Sequence, residues 1–220
     1  MRTGALAIAL TVALAAASYA ADSVVLADDP AVSPEGRTVA FAWRGDIWSA
    51  PVAGGVAMQV TTHPARDRQP LFSPDGAEIA FVSERDNGWQ VYVVPASGGA
   101  ARRITWHTGG YRLHDWYADG DSVLVEATRD HSWTQAHRLM RVDVRKRAAP
   151  ILLFDAYGSE ASVDAAGDRV LFVREGRAWW RKGHVGPAAG QIWTHDARTG
   201  EFAGLVDDDT EARWPVWAPD

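Results

Sequence analysis

Apolar residues along this chain alternate with a period of two and are punctuated by turn residues at near-regular intervals. In Phe72-Ser73-Pro74-Asp75-Gly76-Ala77-Glu78-Ile79-Ala80-Phe81, Ser73 suits the first position of a type I turn, Pro74 presets φ at the second, and Gly76 takes the left-handed conformation that returns the chain. Ile79 and Phe81 then point to one face of the second strand, Ala80 and Val82 to the other. Both faces are apolar, which predicts a sheet covered on two sides. The same instruction stands at Ser33-Pro34-Glu35-Gly36, more loosely at Tyr117-Ala118-Asp119-Gly120 and Asp164-Ala165-Ala166-Gly167, and begins again at Trp217-Ala218-Pro219-Asp220.

Measured at the third turn position, the spacings are 40, 44, 47 and 54 residues. They become regular once one loop is set aside. From the end of the second strand (Phe41, Phe81, Val125, Phe172) to the centre of the third (Ile47, Val91, Leu139, Ile192) the gaps are 6, 10, 14 and 20, and subtracting each from its period leaves 34, 34, 33 and 34. Each third strand runs into a tight turn at Gly54-Gly55, Gly98-Gly99, Arg145-Lys146 or Thr199-Gly200, and a fourth strand is predicted over 57–61, 101–105, 150–154 and 201–206. Four short strands per roughly 40–50 residues is the signature of a β-propeller blade. The prediction is therefore all-β: four-stranded antiparallel blades at about 29–61, 68–105, 112–154 and 160–206, the first strand of a fifth at 212–220, and an incomplete ring. The variable loops (42–46, 82–90, 126–138, 173–191) and the linkers 62–69 and 106–112 are expected on one rim, and the Pro-Asp-Gly turns on the other. An incomplete ring expressed alone is expected to aggregate, because apolar rows such as Val39 and Phe41 and open strand edges lack a covering blade.

Residues 1–20 change the picture of where the protein works. Met1-Arg2, the apolar run 5–17 and the small-residue site Ser18-Tyr19-Ala20 read as a secretory signal peptide, leaving Ala21 first and pointing to the bacterial periplasm or the exterior. The competing reading, a transmembrane anchor, asks for about 20 apolar residues, more than the run supplies. A chain without cysteine has no disulfide, thiolate metal site or cysteine nucleophile, and a formal charge of −6 argues against a nucleic-acid partner. The basic run Arg138, Arg141, Arg145, Lys146, Arg147 alternates with apolar residues, as the solvated edge of a strand and its turn would.

Candidate chemistry is sparse. No nucleophile elbow, zinc-protease helix motif or phosphate-cradling loop occurs, so no catalytic, metal or cofactor residue is assigned. His63, His107, His131, His137 and His184 fall in loops of one rim, where a cluster is conceivable. Asp207-Asp208-Asp209-Thr210-Glu211 lacks the ligand spacing and central glycine of a calcium loop. Among eleven tryptophans, Trp48 and Trp193 share a third-strand position with Tyr92 and are expected between blades. Trp179, Trp180, Arg181, Lys182 and His184 sit in the longest variable loop and form the candidate peptide-contact surface.

The second unit, with Val91-Tyr92-Val93-Val94-Pro95 and Arg103-Ile104-Thr105, resembles the WD-like repeats of TolB and the tricorn proteases. The opening Asp29-Pro30-Ala31-Val32-Ser33-Pro34-Glu35-Gly36, with Gly45-Asp46-Ile47-Trp48, is similar to the N-terminus of bacterial tricorn homologues, as is Trp180-Arg181-Lys182-Gly183-His184 with Gly190-Gln191-Ile192-Trp193. That resemblance implies a non-catalytic access module for peptides or unfolded chains, to which further propeller, PDZ-like and serine peptidase domains belong as partners. Two alternatives stay open: a TolB-like binding or scaffold propeller without an enzyme, and the propeller of a prolyl-oligopeptidase-type enzyme.

Overall fold

The computed structural model describes residues 26–129, 137–174, 189–206 and 211–218. Within them sixteen strands form four antiparallel sheets, each built from four strands in chain order. Blade 1 contains β1 (Asp28–Val32), β2 (Thr38–Trp43), β3 (Asp46–Pro51) and β4 (Met58–Gln59). Blade 2 contains β5 (Asp67–Phe72), β6 (Glu78–Ser83), β7 (Gln90–Pro95) and β8 (Arg102–Arg103). Blade 3 contains β9 (Arg112–Trp116), β10 (Ser122–Ala127), β11 (Arg138–Asp143) and β12 (Ile151–Leu152), and blade 4 contains β13 (Ser159–Val163), β14 (Arg169–Arg174), β15 (Gln191–Asp196) and β16 (Phe202–Val206). The first strands of consecutive blades adjoin one another, β1 with β5, β5 with β9 and β9 with β13, and so make the inner wall of an incomplete β-propeller.

Alternation along the strands assigns each core layer to a pair of blades. Ile79, Phe81, Tyr92 and Val94 pack with Ala40, Ile47 and Val60 of blade 1. Ala80, Val82, Val91 and Val93 turn the other way, onto Val123, Val125 and Met140 of blade 3. Leu124 and Leu139 then meet Ala161, Val170 and Phe172 of blade 4. The second strands of blades 2, 3 and 4 thus bury both faces, as their pattern predicts; in blade 1 Val39 is half-buried, whereas Phe41, expected to lack cover, is buried.

The two rims separate as the constant unit length requires. On one, Gly36, Gly76, Gly120 and Gly167 adopt φ of 72°, 70°, 69° and 77°. Their amides donate to Ser33, Ser73, Tyr117 and Asp164 carbonyls at 2.8–2.9 Å, closing four equivalent turns. The turns stand side by side: a Cβ on Gly76 would lie 3.3 Å from Glu35 Oε2, and one on Gly167 would lie 3.4 Å from Tyr117 Cδ1. On the opposite rim the residue before each third strand accepts an amide proton from the start of the next blade. These bonds are Asp67 N to Gly45 O (2.7 Å), Tyr111 N to Trp89 O (2.7 Å), Gly158 N to His137 O (3.0 Å) and Ala212 N to Gly190 O (2.8 Å). Variable loops and linkers therefore share a rim; Trp180 lies outside the described residues.

Strand ends differ from the pattern in two places. The second strands run two residues into the expected loops, so that Glu126 and Ala127 belong to β10. Fourth strands shrink to two residues in blades 1 to 3, and in blades 1 and 2 a side chain supplies the missing pairing. Thr61 Oγ1 accepts Ile47 N at 2.9 Å, and Thr105 Oγ1 accepts Val91 N at 2.8 Å. Where the third-strand turn has Arg145-Lys146 instead of two glycines, Asp143 Oδ1 accepts both amides, at 2.7 and 2.8 Å.

Candidate functional site

Inner-strand bulges give the loop rim its polar residues. Asp29, Gln69, Glu160 and Trp214 occupy one position of the first, second, fourth and fifth units, where the third has Leu113, and all four have φ of 46–52°. In blades 1, 2 and 4 that residue lies at the register shift between first and second strands. Side chains of this kind are turned across the blade boundary. Asp29 Oδ2 accepts Gln69 N of the next blade at 3.0 Å, and Glu160 Oε2 accepts Trp214 N at 3.3 Å.

Between blades 3 and 4 the arrangement departs from the repeat. The second-strand position occupied by Ala42, Val82 and Val173 in the other blades holds Glu126 in blade 3, and Glu126 is 1% exposed. Glu126 lies opposite Arg112 on β9, as Val82 lies opposite Arg68. Its Oε2 accepts His114 Nε2 at 2.8 Å and Glu160 N of blade 4 at 3.3 Å. Oε1 takes His137 Nδ1 at 2.6 Å and Arg112 Nη1 at 3.4 Å. His114 stands where the other units carry Pro30, Pro70, Ala161 and Pro215. Two departures from the repeat therefore converge on one buried contact. Burial pushes the Glu126 carboxyl up, but the hydrogen bonds and charges of His114 and His137 outweigh it and hold the group well below the usual carboxylate range. Every neighbour named here is a donor directed at an acceptor, which describes a structural hub. Among the described residues no group of three or more His, Asp or Glu is arranged to hold a metal.

Outside this hub, still between blades 3 and 4, lies a cavity of about 550 Å³. Arg138 of blade 3 and Asp155, Ala156 and Tyr157 of the linker after it line one side, and Phe172, Arg174, Trp193 and Phe202 of blade 4 the other. Phe172 and Phe202 meet edge to face with ring centroids 6.3 Å apart, and Phe154 and His195 continue the aromatic layer behind them. Burial holds the His195 imidazole below its ordinary value, against the opposing charge of Asp196. The Arg174 guanidinium sits 4.9 Å over the Trp193 ring. Arg138 is paired with Asp155, and its Nε is buried without an acceptor. The hub fixes both ends of this wall. Glu126 grips the His137 side chain and the Glu160 amide, while His137 O holds Gly158 N.

Residues 25–220 match the model of the tricorn protease N-terminal β-propeller domain. This chain belongs to that family. It is 34% identical over 198 residues to tricorn protease homolog 1 of Streptomyces coelicolor, covering 85% of this chain and 18% of that protein. The chain thus spans about a fifth of that relative. Two solved structures share the fold. The crystal structure of the tricorn protease superposes with a TM-score of 0.73 at 21% identity, over 88% of this chain and 19% of that one. The structure of a putative TolB from Agrobacterium tumefaciens gives 0.70 at 21% identity, over 86% and 65%.

The tricorn-type propeller distributes the sequence-predicted candidates unevenly. Trp179, Trp180, Arg181, Lys182 and His184, together with His131, lie outside the described residues. His63 and His107 serve their own turns: each Nδ1 accepts the amide two residues on, Ala65 N and Gly109 N, at 3.1 Å. His137 joins the hub. Trp48 is half-buried and donates to Trp43 O, Tyr92 is buried against Phe81, and Trp193 both packs on blade 4 and walls the cavity. The basic run is engaged in ion pairs, Arg141 with Asp119 at 2.5 Å and Arg145 with Glu78 of blade 2 at 2.6 Å. Reading the sequence missed Glu126 and His114. Superposing the units at Phe41, Phe81, Val125 and Phe172 exposes Glu126 as the one charge in an apolar column.

Proposed function

We propose that this propeller is the non-catalytic substrate-access module of a secreted, tricorn-like serine peptidase that degrades peptides. The family match over residues 25–220 carries the reading. A rim on which linkers, variable loops and an aromatic, arginine-bearing cavity come together supports a surface that handles peptide. The remaining domains of such a peptidase are its partners, and residues 1–20 are its export signal, removed in the periplasm or on the way out of the cell.

The test is made on the full-length protein. Hydrolysis of short peptides should be abolished by a serine-directed covalent inhibitor. A bulky maleimide label on Ala65→Cys at the loop rim should depress turnover of long peptides more than that of dipeptide substrates. Equal depression for both lengths overturns the access role. Full length without a peptidase region favours instead a binding propeller of the kind whose fold TolB shares. N-terminal sequencing of secreted protein should begin at Ala21, and retention of Met1 overturns the export reading.

A further inference from the structure

We propose that the cavity between blades 3 and 4 is a binding site for an aromatic side chain carried by an acidic stretch of peptide. This names a substrate preference for one site and rests on the peptide-handling reading of the propeller. At about 550 Å³ the cavity falls within the roughly 300–1,000 Å³ typical of ligand pockets, room for a ring and adjoining backbone. Its apolar surface is aromatic: Phe172 and Phe202 stand 83° apart, and Trp193 and Tyr157 border them. Rings pack best against such walls edge to face or offset.

Charge selects the flanking residues. Two guanidinium groups face one carboxylate here, and among the described residues Asp155 pairs with Arg138 alone. Arg174 is exposed, rests on Trp193, and has no described carboxylate in ion-pair range. Arg138 keeps a buried Nε with no acceptor, so Asp155 meets only part of its donor capacity. Guanidinium matches carboxylate geometry, and stacking on Trp193 pre-orients Arg174, so less freedom is lost when it binds. A lysine-flanked aromatic would meet like charge.

The experiment uses the full-length protein labelled with 5-fluorotryptophan, the Trp193 resonance being assigned by its loss in Trp193→Phe. Probes are the end-blocked tripeptides Glu-Phe-Glu, Lys-Phe-Lys and Glu-Ala-Glu; blocking both ends removes any contribution from a terminal carboxylate. Glu-Phe-Glu should shift the Trp193 signal saturably, and Arg174→Met should weaken it about ten-fold. Because Arg174 is exposed, that variant should melt with the parent. Equal response to Lys-Phe-Lys, equal response to Glu-Ala-Glu, no saturable shift, or an unchanged affinity in Arg174→Met each overturns the site. Peptide hydrolysis by the same preparation reports separately: hydrolysis without a Trp193 response overturns the site and spares the peptidase reading, whereas a selective Trp193 response without hydrolysis upholds the site and removes that reading.

Discussion

Replacing Glu126 tests whether the departure from the repeat is a working contact between blades. The carboxylate is 1% exposed and receives His114, His137, Arg112 and the Glu160 amide of the next blade. Glu126→Gln keeps the shape and one acceptor oxygen, but turns the other into an NH₂ donor facing an imidazole N–H. Removing one partner from a buried charged network leaves the others desolvated, so the loss is about 3–5 kcal/mol for Gln or Val. Val is the residue the repeat itself uses at this position in blades 2 and 4. Pairing Glu126→Val with His114→Ala, the residue of blade 4, removes one stranded donor as well as the acceptor. The double variant should therefore regain about 1–3 kcal/mol relative to the sum of the singles. Urea unfolding of the four proteins, followed by circular dichroism, measures that coupling.

The pH dependence has a definite sign. The folded Glu126 carboxyl is held below its ordinary value of 4.5, so its contribution is fully present above that value and is lost as pH falls toward the folded one. The gap between parent and Glu126→Gln should still be present at about pH 5 and shrink only below about pH 4.5, as the folded carboxyl takes up its proton. Strictly additive single variants, or a gap that closes already at pH 6, would refute the hub.

Two glycine substitutions separate backbone strain from crowding. Gly76→Val should cost about 1–3 kcal/mol, because φ is 70° and the neighbouring turn is 3.3 Å from a Cβ, whereas exposed Ala77→Val should be nearly neutral; equal melting shifts contradict the turn assignment. Gly158→Ala should destabilise by about 1–3 kcal/mol, since its Cβ would stand 2.8 Å from Phe172 Cδ2 and 3.3 Å from Leu139 Cδ1. Pairing Gly158→Ala with Phe172→Leu should relieve the clash, and a melting temperature that falls further in the double variant argues against it.

Blade count, strand faces and rims were legible in the sequence because each depends on local rules repeated four times. A Ser-Pro-Asp-Gly turn specifies itself, and alternation places Ile79 and Val82 on opposite faces wherever the blade sits. Fourth strands were overdrawn because Thr61 and Thr105 look like strand residues; their hydroxyls replace the ladder with side-chain bonds that pattern does not register. The Glu126 hub escaped for a different reason. A charged residue after Val125 reads locally as the start of a loop, and its solvation depends on His114, His137 and Glu160, which are 12, 11 and 34 residues away. Only the column comparison carries the information: Ala42, Val82 and Val173 say that the site is buried, and burial says that a charge there must be met by its own chain. Since second-strand residues of that column face the following blade, as Val82 faces blade 3, the partners of Glu126 had to include blade 4. A repeat protein therefore discloses its special junctions by comparison with itself, and the junction disclosed here braces the wall of an aromatic cavity.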